Sequence, residues 1–421
     1  MLIPRNLKTS LLEAAKYSPV ILVNGARQTG KSTLVQGLFP PENRPQYISL
    51  DNISMLDIAR NSPRSFIQDL PDTVILDEIQ HAPQLFLPIK EFVDKSRKTR
   101  RFFLTGSANV LSLPKLAESL AGRMEIHTLW PLSQGEIKGK QEAFIDILDE
   151  KKKIPSVKSI KLTDLLEAIV QGGYPDILHR PNAKTRNDWY RSYIKAILER
   201  DVRELSNIEG LTALPNLLAI LAARAGGLLN MSDLSRTLAL PNSTLKRYLS
   251  LLEAVYLIVM LPPWFNNKSQ RLVKTAKAYL NDTGLLCHLL GSDKAALADN
   301  RLLSGMVFEN FVVMELIKQI TWSEKQPKIY HYRTLSGQEI DIVLEYPNGK
   351  LVGIECKMSS SVKHDDFKWL MALKEQMGSK FHRGIVLYTG SESISFADNL
   401  EAHPVSVLWE LSNQPAPSLS E

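Results

Sequence analysis

The chain has 421 residues, of which 44% are hydrophobic and 23% are charged, and its formal net charge is +6. This length exceeds what one hydrophobic core normally supports, and the small basic excess permits a nucleic-acid partner without requiring one. Two distant cysteines, Cys287 and Cys356, argue against a disulfide scaffold and a thiolate zinc site. The chain lacks a signal-peptide pattern and an uninterrupted membrane-length apolar run, so we expect a cytoplasmic protein that does not span a membrane.

Over the first 137 residues, short β-rich apolar runs alternate with helical patterns. The runs lie at residues 20–23, 47–50, 74–76, 101–104 and 125–128. This alternation is typical of βα units in a parallel sheet. We therefore predict an α/β domain at residues 1–137, which ends where the composition shifts to Lys, Glu and Asp.

Three further segments are predicted after this domain. Residues 138–208 form a linker and a small helical lid, in which Glu199-Arg200-Asp201 either contacts nucleotide or pairs internally. Residues 209–300 give three helices and an apolar strand, the order of a winged helix-turn-helix, followed by a basic connector. Residues 301–421 give an apolar-faced helix and strands at 328–332, 340–345, 350–356 and 384–388, which predict an α/β domain.

A phosphate-binding loop follows the first strand. Residues 25–32 match the pattern Gly-x-x-x-x-Gly-Lys-Ser, and Ser32 opens a helical segment. In such a loop backbone N–H groups wrap the phosphates, Lys31 neutralises the β- and γ-phosphates, and Ser32 holds Mg²⁺. We predict that the chain binds ATP and Mg²⁺ and hydrolyses ATP. The predicted nucleotide-binding residues are Gly25, Ala26, Arg27, Gln28, Thr29, Gly30, Lys31, Ser32 and Thr33.

Polar residues at the ends of later strands are predicted to complete this site. The strand at 73–76 runs into Asp77, predicted to bind the Mg²⁺ shell, and Glu78, predicted to orient the attacking water. The next strand runs into Thr105-Gly106-Ser107, which places Ser107 near the γ-phosphate. Arg123 precedes the strand at 125–128, and we predict that it reaches the nucleotide of a neighbouring subunit. The alternative for Arg123 is a cation at a helix end.

These motifs resemble the AAA+ superfamily, and the whole chain is similar to prokaryotic predicted AAA+ ATPases with a C-terminal domain of unknown function. The similarity also covers residues 172–175, 199–202 and 279–284 and the C-terminal carboxylates. It implies a P-loop parallel-sheet core, a helical lid, a winged helix and a C-terminal α/β domain of the restriction-endonuclease-like fold. It also implies a homo-oligomer, such as a hexameric ring.

The helix predicted from Ser243 to Glu253 is a candidate for contact with DNA. Leu245, Leu249 and Leu252 share one face, which leaves a polar outer face as a recognition helix requires. The outer residues are Thr244, Lys246, Arg247 and Ser250. Winged helices also dock proteins, so that alternative stays open.

Four residues of the last segment resemble the site of a restriction nuclease. Asp341 begins one strand, and the next strand carries Glu355 and Lys357, which share a face because side chains alternate along a strand. Glu309 on the preceding helix is a candidate third ligand for a Mg²⁺ ion. A site of this kind either cleaves or only binds.

Three functions are compatible with these features. The first is an ATP-driven motor or remodeller that acts on duplex or branched DNA. The second is an ATP-gated nuclease of a defence system, and the third is a nucleotide-controlled switch that binds a protein partner.

Overall fold

The computed structural model describes residues 2–95, 101–107, 120–203, 211–266, 275–334 and 336–412. The chain divides into two compact units. The N-terminal unit comprises residues 4–131 and 254–257, and the C-terminal unit comprises residues 1–3, 132–253 and 258–421. The proposed subdivision of residues 132–421 into a lid, a winged helix and an α/β domain stays a prediction.

A parallel five-stranded sheet forms the centre of the N-terminal unit. Its strands are β1 (Val20–Asn24), β2 (Gln46–Ser49), β3 (Thr73–Asp77), β4 (Arg101–Gly106) and β5 (Met124–Thr128). The helices in its described part are α1 (Leu7–Tyr17), α2 (Lys31–Gln36), α3 (Ile53–Asn61), α4 (Pro63–Gln68) and α5 (Phe86–Lys95). The strand order is β2-β3-β4-β1-β5, and every pairing is parallel. The predicted P-loop AAA+ α/β core is thus confirmed.

The sheet is apolar on both faces because helices cover both. Every residue of β1 is buried, and its alternate side chains enter two different clusters. Val20 and Leu22 pack with the residues of α3 to α5, whereas Ile21 and Val23 pack with those of α1 and α2. Strands buried on both faces read as continuous apolar runs, which is why the sequence shows them clearly. Because β4 lies between β1 and β3, the carboxyl ends of these three strands lie side by side.

The C-terminal unit contains short and long helices around two sheets. Its first helices are α6 (Gln134–Ile137), α7 (Phe144–Asp149), α8 (Leu162–Gln171), α9 (Pro175–Leu178), α10 (Ala183–Ala196), α11 (Leu214–Ala223), α12 (Met231–Leu238) and α13 (Asn242–Ala254). They are followed by α14 (Thr283–Leu290), α15 (Lys294–Asp299), α16 (Arg301–Ile320), α17 (Lys368–Met377) and α18 (Val407–Glu410). The segment Ile197–Asp201, which holds Glu199-Arg200-Asp201, is a π-helical turn that extends α10.

A mixed six-stranded sheet and a two-stranded sheet complete this unit. The strands are β6 (Ile258–Leu261), β7 (Lys277–Leu280), β8 (Lys328–Arg333), β9 (Glu339–Glu345), β10 (Leu351–Lys357), β11 (Phe381–Tyr388), β12 (Ile394–Ala397) and β13 (Leu400–Pro404). The large sheet has the order β12-β13-β11-β10-β9-β8, and β6 pairs with β7 antiparallel. The sequence analysis identified the positions of β8 to β11 but not β7, β12 or β13.

The helices α11 to α13 and the β6–β7 pair have the element order of the predicted winged helix. Leu245, Leu249 and Leu252 are buried, as their spacing on α13 predicts. The chain after β6 continues into the large sheet, because Trp264 N donates to His331 O at 2.6 Å and His331 N donates to Pro262 O at 3.0 Å. The segment that follows β6 is therefore joined to the C-terminal sheet by backbone hydrogen bonds.

The motifs at residues 172–175 and 279–284 meet in the C-terminal unit. Asp282 accepts from Gly173 N at 2.7 Å, from the Tyr190 hydroxyl at 2.9 Å and from Leu285 N at 2.9 Å. A Cβ atom on Gly284 would lie 2.2 Å from the Tyr190 hydroxyl oxygen, so only glycine fits there. These motifs therefore maintain packing between α8, α10 and α14.

Candidate nucleotide-binding site

The loop at residues 25–30 leaves the carboxyl end of β1 and leads into α2. Its backbone has positive φ at Gly25 (140°), Gln28 (61°) and Gly30 (90°), which L side chains rarely adopt. A Cβ atom on Gly25 would lie 2.2 Å from the carbonyl oxygen of Leu129. Glycine is therefore required at position 25, because the loop passes directly against the chain that leaves β5.

Two basic side chains hold the loop in shape. Lys31 is only 5% exposed, and its ammonium donates to the carbonyl oxygens of Gly25 at 3.1 Å and Ala26 at 2.9 Å. Arg5 donates to the carbonyl oxygen of Thr29 at 2.7 Å. Lys31 is at the first position of α2, where the helix N-terminus favours an anion. The loop therefore has the shape and charge of a phosphate site.

The Asp77 carboxylate at the end of β3 lies beside the loop. It accepts hydrogen bonds from Ser32 Oγ at 2.7 Å, from the Tyr47 hydroxyl at 2.5 Å and from Thr105 Oγ1. Mg²⁺ in proteins takes one or two such oxygens together with water and phosphate oxygens. Ser32 and Asp77 therefore fit the ion, and they are the two residues that the sequence analysis selected for it.

Glu78 and Ser107 lie at the same edge of the sheet and are bridged by Gln80. Gln80 Nε2 donates to Glu78 Oε2 and, at 3.0 Å, to Ser107 Oγ. Burial acts to raise the pKa of Glu78. The charge of Lys31, the hydrogen bond from Gln80 and the charge of Arg27 outweigh it and lower this pKa below its ordinary value. Glu78 is therefore ionised at neutral pH, as a residue that orients an attacking water must be.

The other predicted loop residues differ in exposure. Ala26 and Thr29 are buried, Arg27 is half-buried, and Gln28 and Thr33 are exposed. Some residues of the loop are therefore packed into the unit and others are accessible to solvent.

Arg123 lies far from the phosphate-binding loop of its own chain. It precedes the first residue of β5, whereas the loop follows the last residue of the neighbouring parallel strand β1, about 16 Å away along the sheet. Its guanidinium forms hydrogen bonds of 2.5 and 3.0 Å with the two carboxylate oxygens of Asp94. This position separates Arg123 from the phosphate-binding loop of its own chain, and a role at a neighbour's nucleotide stays a prediction.

The four residues selected for DNA contact lie on the outer face of α13. Lys246, Arg247 and Ser250 are exposed and Thr244 is half-buried. The face has the polarity expected of a recognition helix, and its contact with DNA stays a prediction.

The C-terminal carboxylates are held by lysine, tyrosine and backbone donors. Glu309 accepts from the Lys277 ammonium at 2.9 Å and from the Tyr279 hydroxyl at 2.6 Å. Asp341 accepts from the backbone N–H of Cys356 at 2.8 Å, and Lys357 donates to Glu355 at 3.0 Å. The sequence analysis did not foresee Lys277 and Tyr279 here, because it did not identify β7, which carries both.

Burial and mutual repulsion control the charge of these carboxylates. Burial and the nearby Asp341 raise the pKa of Glu309 to about 7 and raise the pKa of Glu355 well above its ordinary value. Over the ranges that the structure describes, no group of three or more His, Cys, Asp or Glu side chains is placed to hold a metal ion. Lys277 and Tyr279 contact Glu309, and a Mg²⁺ site at Glu309, Asp341 and Glu355 stays a prediction.

The sequence analysis also missed residues of the nucleotide site. Tyr47 and Thr105 contact Asp77, Gln80 contacts Glu78, and Arg5 contacts the loop. Thr105 and Gln80 lie within two residues of selected positions, so sequence proximity gave a signal for them. Tyr47 and Arg5 reach the site only through the fold.

The geometry and the fold define a P-loop nucleotide-binding protein. Residues 17–138 match the family model of the AAA domain, residues 162–296 match a domain of unknown function, DUF8612, and residues 304–408 match another, DUF4143. The chain therefore has an AAA domain of the P-loop ATPases, followed by two segments that match domains of unknown function, as the sequence resemblance indicated.

Similar proteins occur in bacteria and archaea. The chain is 28% identical to an uncharacterized protein of Mycobacterium tuberculosis over 95% of this chain and 83% of that protein. It is 22% identical to an uncharacterized protein of Methanocaldococcus jannaschii over 93% of this chain and 87% of that protein. These relatives share nearly the whole chain.

Two solved structures show a limited similarity to this chain. A Walker-type ATPase of Pyrococcus abyssi matches with 17% identity and a TM-score of 0.45, over 69% of this chain and 96% of that one. The RuvB Holliday junction branch migration motor of Thermotoga maritima matches with 16% identity and a TM-score of 0.27, over 61% of this chain and 87% of that one.

Among the helices that the structure describes, none combines the length and the apolar character that a membrane span requires.

Proposed function

We propose that this protein is an oligomeric, Mg²⁺-dependent ATP hydrolase that uses nucleotide turnover to move or remodel DNA. The observation that carries the hydrolytic part is the contact of Ser32 with Asp77 at 2.7 Å, beside a buried Lys31 and an ionised Glu78. This set provides a phosphate cradle, oxygen ligands for Mg²⁺ and an acceptor for a proton of water in one place.

Each residue of the set has a distinct part in hydrolysis. Lys31 exchanges its two loop carbonyl partners for the β- and γ-phosphate oxygens when ATP enters. Ser32 and Asp77 would hold Mg²⁺, which would supply positive charge that stabilises the phosphate oxygens. Glu78 accepts a hydrogen bond from the attacking water and aligns it with the γ-phosphorus, while Ser107 contacts the γ-phosphate.

Site-directed variants and nucleotide-binding measurements test this assignment. We expect Glu78→Gln to bind ATP with nearly normal affinity and to hydrolyse it about 100-fold or more slowly, because only the positioning of water is lost. Lys31→Ala should lose ATP binding itself. Normal hydrolysis by the Glu78 variant would refute the proposed mechanism.

We also propose that Arg123 contacts the nucleotide bound to a neighbouring subunit. This proposal is supported by the distance between Arg123 and the phosphate-binding loop of its own chain. In an isolated subunit the Arg123 guanidinium is held by its ion pair with Asp94. Contact between subunits would turn the guanidinium away from Asp94 and toward the neighbour's nucleotide. Mixing Lys31→Ala with Arg123→Ala subunits should restore partial hydrolysis, because one kind of interface then combines an intact loop with an intact arginine. Asp94→Ala is the matched control, since it removes the partner and retains the arginine. Mixtures no more active than the sum of their components would contradict a shared site.

The DNA-directed part of the proposal is supported by the exposed basic residues of α13. We expect duplex or branched DNA to stimulate ATP hydrolysis, and a Lys246→Glu/Arg247→Glu variant to lose the stimulation while keeping the basal rate. Stimulation should also fall as salt rises. Equal rates of ATP hydrolysis with and without single-stranded, duplex and branched DNA would refute the proposal that the protein acts on DNA. That result would favour a nucleotide-controlled switch that binds a protein partner.

The nuclease alternative has one supporting observation, which is a buried oxygen. Glu355 Oε1 has no hydrogen-bond partner among the described residues, and such an oxygen is available to a ligand. Glu309, however, is occupied by Lys277 and Tyr279, so we derive no cleavage step. Incubating wild type and Asp341→Ala with DNA and Mg²⁺ tests this alternative, and equal cleavage by the two would reject it.

A further inference from the structure

Gln80 occupies a position between two residues of the hydrolytic site. Glu78 directly follows β3 and has a left-handed conformation, with φ 56° and ψ 48°. This conformation is costly for a residue with a side chain, and the chain then turns through Ile79–His81. Because of this turn, the Gln80 side chain lies against the side chain of Glu78, which precedes it by two residues.

The carboxamide of Gln80 makes two contacts through one nitrogen. Nε2 donates to Glu78 Oε2 and to Ser107 Oγ, the latter at 3.0 Å. A carboxamide nitrogen has two hydrogens, so both contacts are made at once. The side chain therefore links the carboxylate at the end of β3 to the hydroxyl at the end of β4.

The oxygen of the same carboxamide is left as an acceptor. Gln80 Oε1 is buried and makes no hydrogen bond with any residue in the described part of the chain. A buried carbonyl oxygen without a donor is unfavourable, and water is the usual donor for it. This oxygen is therefore an unpaired acceptor on the side chain that contacts Glu78.

We infer that Gln80 is a positioning residue for ATP hydrolysis, which fixes the Glu78 carboxylate and links it to Ser107. The inference rests on hydrolysis at this site, as proposed above. Gln80 thus helps to align the attacking water by positioning Glu78. Phosphate binding remains a function of the loop at residues 25–30. Loss of Gln80 should therefore slow turnover without weakening the binding of ATP.

The charges around Glu78 are consistent with this role. Lys31 and Arg27 act on its carboxylate from the loop, and Asp77 is its neighbour on β3. Both cations favour the ionised carboxylate but do not fix its orientation, because a charge acts over a distance in every direction. The hydrogen bond from Gln80 supplies the direction.

The test is single-turnover hydrolysis of Mg²⁺-ATP together with nucleotide affinity, measured with a fluorescent ATP analogue. Gln80→Leu keeps the approximate size and removes both hydrogen-bonding groups. We expect its hydrolysis rate to fall about 10- to 100-fold, the effect of a misplaced reacting group, with the Kd for nucleotide within about twofold of wild type. Gln84→Leu, the same change on the following turn, is the matched control and should keep the wild-type rate.

A double variant separates positioning from a structural effect. If Gln80 acts through Glu78, Gln80→Leu/Glu78→Gln should be no slower than Glu78→Gln alone, because residues that act as a unit are not additive. A Gln80→Leu rate within twofold of wild type would overturn the inference, as would additive losses or a loss confined to the Kd. Failure of wild type to hydrolyse ATP would instead refute the proposed function.

Discussion

Replacing Gly25 with alanine tests whether the shape of the phosphate-binding loop, in addition to its charge, determines nucleotide binding. The new Cβ would lie 2.2 Å from the carbonyl oxygen of Leu129 and 3.1 Å from its carbonyl carbon, and Gly25 has φ 140°. Both contacts are with backbone atoms, which cannot rotate away. Backbone strain of about 1–3 kcal/mol and overpacking of about 1–3 kcal/mol add to roughly 2–6 kcal/mol.

The protein relieves this cost by moving the loop. Such a movement displaces the Gly25 carbonyl, which Lys31 contacts at 3.1 Å, and disturbs the amide groups that bind phosphate. We expect the free energy of unfolding of the N-terminal unit to fall by at least about 2 kcal/mol. ATP affinity should fall at least about tenfold, which corresponds to 1.4 kcal/mol.

Denaturant unfolding and fluorescent nucleotide titration measure these two effects. Gly122→Ala is the control, since Gly122 also has positive φ (76°) but no atom of the described residues lies within 4 Å of its Cβ position. It should lose about 1–2 kcal/mol of stability and retain nucleotide affinity. If Gly25→Ala binds ATP within twofold of wild type and unfolds at the same denaturant concentration, the reasoning from loop shape is wrong.

Three further predictions concern the C-terminal unit. Gly284→Ala places a Cβ 2.2 Å from the Tyr190 hydroxyl oxygen and should lower the melting temperature by several degrees, which thermal unfolding measures. Lys277→Met leaves Glu309 without its buried cation and should cost about 3–5 kcal/mol in urea unfolding, with Lys277→Met/Glu309→Gln recovering part of the loss. Burial, followed by repulsion from a nearby carboxylate, raises the pKa of Glu142 well above 4.5. The folded state therefore holds a proton that the unfolded state releases, and wild-type stability falls as pH rises from about 4.5 through the raised pKa. Glu142→Gln does not titrate, so its stability relative to wild type should increase between pH 5 and pH 8.5, and parallel pH profiles would contradict the assignment.

The sequence by itself determined the nucleotide site to a large extent. Strands buried on both faces are continuous apolar runs, and in a parallel sheet the residues that follow them lie at one edge. Ser32 and Asp77, which are 45 positions apart in sequence, could therefore be paired from pattern alone, and the structure places them 2.7 Å apart. The spacing on α13 likewise predicted which leucines are buried.

The tertiary structure alone decided which side chains complete or occupy each site. Tyr47 reaches Asp77 because β2 pairs with β3, and Lys277 reaches Glu309 because β7 packs near α16. Short strands with mixed polarity, such as β7, carry too little periodicity to be recognised, so their side chains could not be placed. Contacts between distant segments depend on strand register and packing geometry. The type of a single residue does not determine which distant residue it will contact. For the same reason the sequence suggested the carboxylates of a metal site but not the Lys277 ammonium, which the fold places beside Glu309.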